Sequence, residues 1–218
     1  MTDPQAAARA DRSRLLVATR STHKLRELRE LLGLRTLLID LDDVDIAGEA
    51  VEDGETFEAN ASKKARFFAS LSGLPTLADD SGLEVDALGG GPGVRTRRYA
   101  GETATDEENN VKLLGALSGM EPALRGARYR CVLALALPEA RGPRGGLPVR
   151  LARGTLEGRI AAAPRGTGGF GYDPIFEPAG ERPGGRTLGE WTAEAKNRIS
   201  HRGKAARRMH RVLVDLGF

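Results

Sequence analysis

The chain has 218 residues, 40% of them hydrophobic, enough to bury the core of one sizeable domain without staples. Its single cysteine, Cys131, excludes an intrachain disulfide, and no segment has the roughly 18 uninterrupted apolar residues of a membrane span or the apolar run of a signal peptide. A cytoplasmic address is expected, and the net charge of +3 is uneven: Arg202, Lys204, Arg207, Arg208 and Arg211 make the basic character partly local, which suits phosphate capture or a polyanion surface better than a wholly basic protein.

Residues 1–13 read as a flexible leader before a single bilobed domain at 14–218. The apolar run at 15–19 predicts a strand, and a polar bend leads into a helix with the stripe Leu25, Leu28, Leu31 and Leu32, ended by Gly33. A short strand is expected at 37–39, then an acidic stretch at 40–54 with few core candidates. Phe57, Ala61, Phe68 and Leu71 restore a helical stripe that Gly73-Leu74-Pro75 stops. The next strand delivers Leu77-Ala78-Asp79-Asp80-Ser81-Gly82-Leu83, and because carboxylates inside a strand are costly, the pair is expected at its exposed end. A mobile or tightly shaped glycine loop at 89–93 follows, then a helix carrying Val111, Leu114 and Leu117, with Thr105 and Glu108 as a capping box. Residues 129–137 read as a covered strand around Cys131, 141–147 as a turn outside the core, and 149–160 as a further strand or hairpin arm. The last helix follows Ser200 and turns Ala205, Met209, Val212, Leu213 and Leu216 inward.

Five segments carry chemistry. Thr19-Arg20-Ser21-Thr22-His23-Lys24 lies between a strand and a helix, where backbone donors, hydroxyls and Lys24 can grip phosphate oxygens, although ordinary capping beside an exposed lysine accounts for it as well. A P-loop signature is absent. Asn60 and Lys64, one helical turn apart, can reach one phosphate or simply form a polar ridge. Asp79 and Asp80 can hold a hard metal ion or orient water; the alternative is a polar turn at a strand end. Glu49, Glu52, Asp53 and Glu55 offer further carboxylates, or an acidic loop facing solvent. In the glycine-rich run at 166–176, Phe170 and Tyr172 offer planar surfaces to a base and Asp173 an acceptor, unless the aromatics pack inward. Lys196 and Ser200-His201-Arg202 stand at the approach to the last helix, where His201 gains weight from its basic neighbours.

In this order, Ala78-Asp79-Asp80-Ser81-Gly82-Leu83, Gly168-Gly169-Phe170-Gly171-Tyr172-Asp173-Pro174 and Ser200-His201-Arg202-Gly203 resemble the Ham1-like inosine/xanthosine triphosphate pyrophosphatase family, over about residues 15–217. The resemblance implies Mg2+-dependent hydrolysis of non-canonical purine nucleoside triphosphates (ITP, dITP, XTP) between the alpha and beta phosphates, giving the monophosphate and pyrophosphate. By the same resemblance, Thr19, Arg20, Ser21, Thr22, His23 and Lys24 form the triphosphate loop. Asp80 is the metal-linked catalytic acid or base, supported by Asp79, and Glu52 a second metal-facing carboxylate. Asn60 and Lys64 match the family's helix, and Ser81 an adjacent substrate contact. Phe170, Gly171, Tyr172 and Asp173 match the base-pocket loop, and Lys196, His201 and Arg202 the remaining nucleotide contacts. Two positions depart from the pattern: Ser21 replaces an asparagine, and Ala59 replaces the acid usual before Asn60.

A donor from His201, Arg202 or a loop amide to the oxygen at purine position 6 would separate hypoxanthine and xanthine from adenine, and an unpaired 2-amino group would disfavour guanine. The implied fold is α/β, an elongated mixed central sheet with flanking helices forming two lobes around a nucleotide cleft. A homodimer is expected, with no membrane or stable nucleic-acid partner. The rival readings are a Maf-like nucleotide pyrophosphatase of other base preference and a non-catalytic nucleotide- or RNA-binding protein.

Overall fold

The computed structural model describes residues 14–139 and 146–218; the leader expected at 1–13 and most of the turn expected at 141–147 lie outside the described residues. Six strands, β1 (Arg14–Val17), β2 (Leu37–Ile39), β3 (Thr76–Val85), β4 (Gly126–Ala136), β5 (Val149–Ile160) and β6 (Phe176–Pro178), form one sheet in the order β2-β1-β3-β4-β5-β6. The sheet is mixed. β1 pairs in parallel with β2, Leu15 opposite Leu38, and with β3, Leu16 opposite Thr76, whereas β5 and β6 are antiparallel with Arg159 opposite Glu177. Parallel neighbours require long crossovers, and helices α1 (Thr22–Leu32) and α2 (Phe57–Ser72) lie within those between β1 and β2 and between β2 and β3.

The chain divides into two compact units, one formed by Met1–Asp80, Val132–Arg153 and Ala205–Phe218, the other by Ser81–Cys131 and Gly154–Lys204. In the first, Leu15, Leu16, Val17, Leu77 and Ala78 are all buried, the continuous apolar reading of strands covered on both faces. Leu25, Leu28 and Leu32 of α1 and Phe57, Ala61, Ala65, Phe68 and Ala69 of α2 are buried too, as are Ala205, Met209 and Leu213 of the last helix, α5 (His201–Asp215). Gly33 and Gly73 end α1 and α2 with φ of 55° and 68°, the left-handed region in which glycine closes helices without a Cβ penalty. Buried Cys131 is a free thiol.

In the second unit, α3 (Asp106–Ala116) starts on the expected capping box of Thr105 and Glu108, and Leu113 with Leu117 joins a core of Leu83, Val85, Tyr129, Leu156, Ile160, Phe176 and Leu188. A short helix, α4 (Ala193–Ile199), precedes α5. Three expectations fail. Asp79 and Asp80 are not at the end of a strand but in the middle of the ten-residue β3, 5% and 8% exposed, because partners remote in sequence make their burial tolerable. Leu71 is exposed beside Phe67, the small Ala61, Ala65 and Ala69 having taken the buried face of α2. Val111 is exposed because α3 buries Asn110 and Leu113, and each residue turns about 100° round the axis.

Arg125, 6% exposed, donates to three backbone carbonyls, Leu117 at 2.9 Å, Ile160 at 2.8 Å and Ala161 at 2.6 Å, and so joins the residue after α3 to the end of β5. Removing the guanidinium leaves the Leu117 carbonyl its bond from Met120 N at 3.1 Å but takes the side-chain donor from the Ile160 and Ala161 carbonyls, each loss worth about 1–3 kcal/mol. Arg125→Ala is expected to lose at least about 2 kcal/mol in urea unfolding, and a change below about 1 kcal/mol would show that water or relaxation replaces those bonds.

Candidate active site

Neighbouring residues of a strand project to opposite faces, and the two carboxylates of β3 accordingly have different partners. Asp79 Oδ1 accepts from Lys24 Nζ at 3.0 Å, which fixes the lysine in the first turn of α1. Asp80 is surrounded by Lys64, Glu52 and Asn60. Burial is the largest influence on its carboxyl, pushing the pKa up to about 7; Lys64 pulls it down, Glu52 and Asp79 push it up, and a hydrogen bond from Asn60 lowers it. Its Oδ2 is buried with no hydrogen-bond partner among the described residues.

The surrounding groups are held by their own contacts. Lys64 pairs with Glu52 and donates from Nζ to the Asp79 carbonyl at 3.3 Å. Asn60 turns inward, accepting from Gly54 N at 2.7 Å and donating to Gly54 O at 3.3 Å, and thereby pins the acidic loop that carries Glu52 onto α2. Ser21 is the N-cap of α1, its hydroxyl accepting from Lys24 N at 3.4 Å while its own N–H donates to Thr19 Oγ1 at 3.0 Å. With no acid in its first turn, α1 leaves the positive end of its dipole to an anion. Arg20 reaches sideways to the Ile46 and Gly48 carbonyls at 2.7 and 3.3 Å, and Thr22 and His23 are exposed.

The second unit assembles an aromatic and cationic group around Asp173, which is 2% exposed. Asp173 Oδ2 accepts from Lys196 Nζ at 2.5 Å and Phe170 N at 2.9 Å, and Oδ1 from the Tyr129 hydroxyl at 3.4 Å. Gly169 is required here, since a Cβ on it would stand 2.0 Å from Asp173 Oδ2. The Phe170 ring stays 43% exposed, with Lys196 Nζ 4.4 Å and the Arg202 guanidinium 5.6 Å from its centre. His201 lies flat on Tyr129, ring centres 4.6 Å apart and planes within 8°. Ser200 sets this arrangement: its N–H donates to Lys196 O, ending α4, and its hydroxyl accepts from Gly203 N, capping α5. Tyr172 is not a second platform, being 4% exposed with its hydroxyl donating to Thr96 O at 2.7 Å. Ser81 follows Asp80 in β3 and is half-buried.

The Ham1 family model matches residues 15–212. The chain belongs to the Ham1 family. A Geobacter sulfurreducens protein named dITP/XTP pyrophosphatase is 50% identical over 194 residues, 88% of this chain and 92% of its own length. A Streptomyces coelicolor protein of the same name is 44% identical over 207 residues, 94% of this chain and 98% of that protein. The structure of a HAM1 protein from Coxiella burnetii matches 93% of this chain and 98% of its own with a TM-score of 0.81 and 40% identity. A nucleoside-triphosphatase / dITP/XTP pyrophosphatase from Mycobacterium abscessus matches 90% and 98% with a TM-score of 0.73 and 42% identity. In this Ham1-family chain, sequence reasoning missed Tyr129, which supports both His201 and Asp173; the only signal was a polar-tipped aromatic near the start of a covered strand. No helix among the described residues is long and apolar enough to cross a membrane.

Because folding raises the Asp80 pKa from 3.8 to about 7, the native chain holds a proton that the unfolded chain has released, and stability falls as pH rises across that window. The decrement is on the order of 4 kcal/mol above pH 7. In chelator, Asp80→Asn is expected to unfold at higher urea than the parent at pH 8 and to lose that advantage toward pH 4. A pH-independent difference would remove ionisation of Asp80 as its cause.

Proposed function

We propose that this chain hydrolyses ITP, dITP and XTP to the nucleoside monophosphate and pyrophosphate, withdrawing these purines from the nucleotide pool. The observation that carries the reading is Asp80, a buried carboxyl with a pKa near 7 and an unpartnered oxygen, set among Lys64, Asn60 and Glu52. The names of the Geobacter and Streptomyces relatives support the substrate class.

A general base works best when its pKa lies near the operating pH, and Asp80 meets that condition only while no cation is bound to it; as a ligand of Mg2+ it would hold the ion instead of acting as an independent base. Lys24 and the start of α1 draw the phosphate chain, and Lys64 offsets charge that develops on the leaving pyrophosphate. Phe170 offers a face to the purine, and Lys196, His201 and Arg202 supply donors suited to an oxygen at position 6. The amino group of adenine would meet those donors with no acceptor.

The donor set also suits Mg2+. Among the described residues no group of three or more His, Cys, Asp or Glu side chains is gathered for a metal, but Mg2+ commonly takes one or two carboxylates and completes its shell with water and phosphate. The unpartnered Oδ2 of Asp80, with Glu52 nearby, provides such hard oxygens. When bound, the ion would neutralise phosphate charge and ease ionisation of water. Asp80 and Glu52 would hold the ion, and Lys64 would offset charge on the phosphates.

One buried thiol and a nucleotide substrate suit the cytoplasm, and the exposed Phe67, Leu71 and Val51 suit a homodimer. Light scattering that finds a 23.3-kDa monomer at all concentrations would overturn the dimer.

Product analysis over ITP, XTP, ATP and GTP with and without Mg2+ tests the reading. ITP and XTP should yield pyrophosphate much faster than ATP or GTP, only with Mg2+; orthophosphate as the product would overturn the bond assignment. Asp80→Asn should lose roughly 10² to 10⁴ in turnover while remaining folded. Turnover near that of the parent would remove Asp80 from catalysis.

A further inference from the structure

The turn that carries Phe170 is gripped at its next residue by a helix outside all the sequence motifs. Asp106 Oδ2, in the first turn of α3, accepts from Gly171 N at 2.6 Å, and Asn110 Nδ2 donates to Gly171 O at 3.1 Å. Residues four apart lie over one another on a helix, so this pair takes both polar groups of one backbone residue and fixes the two peptide planes that flank it. The grip has a firm base. Thr105 and Glu108 cap α3, Asn109 accepts from Ala100 N at 2.8 Å and donates to Arg97 O at 3.0 Å, and Lys112 Nζ donates to Tyr99 O at 2.5 Å.

Asn110 is 7% exposed, and its Oδ1 is buried without a partner among the described residues. An apolar side chain at this position would avoid the cost of that oxygen, so the asparagine is explained by what its Nδ2 does at Gly171. Phe170, 43% exposed, lacks the enclosure that fixes a core aromatic, and beyond the two cations against its ring its orientation depends on its backbone. That backbone is held from one side by Asp173, which receives Phe170 N, and from the other by α3.

We infer that Asp106 and Asn110 are positioning residues for base recognition, acting through Gly171 to set the plane of Phe170. The inference rests on the proposed role of Phe170 as the surface for the purine, and base discrimination then depends on a helix that supplies no nucleotide contact of its own.

The test compares Asp106→Ala, Asn110→Ala, Asp106→Asn and Phe170→Ala. KM and kcat are measured for ITP, together with inhibition by inorganic tripolyphosphate, which has the phosphate chain but no base, and direct binding of ITP in chelator. Asp106→Ala and Asn110→Ala should raise KM for ITP roughly tenfold with kcat within about threefold of the parent, as loss of binding that does not change through the reaction requires. Tripolyphosphate inhibition should not move. Asp106→Asn keeps an acceptor for Gly171 N and should behave as the parent, and Asp106→Ala added to Phe170→Ala should cost nothing further.

If Phe170→Ala raises KM but the α3 variants do not, the inference is overturned while the proposed function stands. Equal losses for ITP and tripolyphosphate would also overturn it, because α3 would then act on the fold as a whole. If Asn110→Ala does not fold, the exposed Asp106 carries the test by itself. A parent protein that neither binds nor cleaves ITP would overturn both the inference and the function on which it rests.

Discussion

Asp80 is a carboxyl held in the middle of a covered strand, where burial raises its pKa to about 7 against the pull of Lys64. The first unit can be understood as the set of contacts that makes this position tolerable. Asn60 binds the backbone at Gly54, the loop from there brings Glu52 to Lys64, and Lys64 also reaches the Asp79 carbonyl. Asp79 meanwhile occupies Lys24. Both lysines are therefore placed by carboxylates, and under the proposed function the same charges that limit the cost of burial would serve the phosphate chain.

The second unit solves a different problem, the presentation of an aromatic face to solvent at a defined angle. Asp173 is its hub, gathering Lys196, Phe170 N and the Tyr129 hydroxyl. Burial pushes the Tyr129 hydroxyl well above its usual range, so it remains a donor at any physiological pH, and its ring carries His201. Specificity in such a group comes from donors whose directions are fixed in advance, because an analogue with the wrong edge leaves them unpaired. The α3 contacts to Gly171 extend that fixing to backbone held from outside the group.

Short-range signals in the chain were reliable. The stripe Leu25, Leu28, Leu31 and Leu32 is buried except for the half-buried Leu31, and the glycines at 33 and 73 and the Thr105–Glu108 capping box appear as read, because each depends on neighbours within about one helical turn. Partnerships over long separations were not legible. Local sequence puts Asp79 at a strand end because no neighbour offsets its burial, and its partner Lys24 is 55 positions away. Tyr129 and Asp173 are separated by 44 positions, Asp106 and Gly171 by 65. Period alone puts Leu71 and Val111 in the core, and the helices bury smaller or polar neighbours in their place.

By itself the sequence determined the strands and helices up to residue 160, the last helix and the family, since periodicity, caps and ordered motifs are written in consecutive residues, whereas the short β6 and α4 carry no such signal. Tertiary structure alone decided that β3 continues through Asp79 and Asp80, that Tyr172 packs inward while Phe170 faces outward, and that Asn60 and Asn110 act on backbone at Gly54 and Gly171. The reason is physical: the state of a buried polar group is set by whichever donors and charges the fold brings within a few ångströms, and these come from distant parts of the chain.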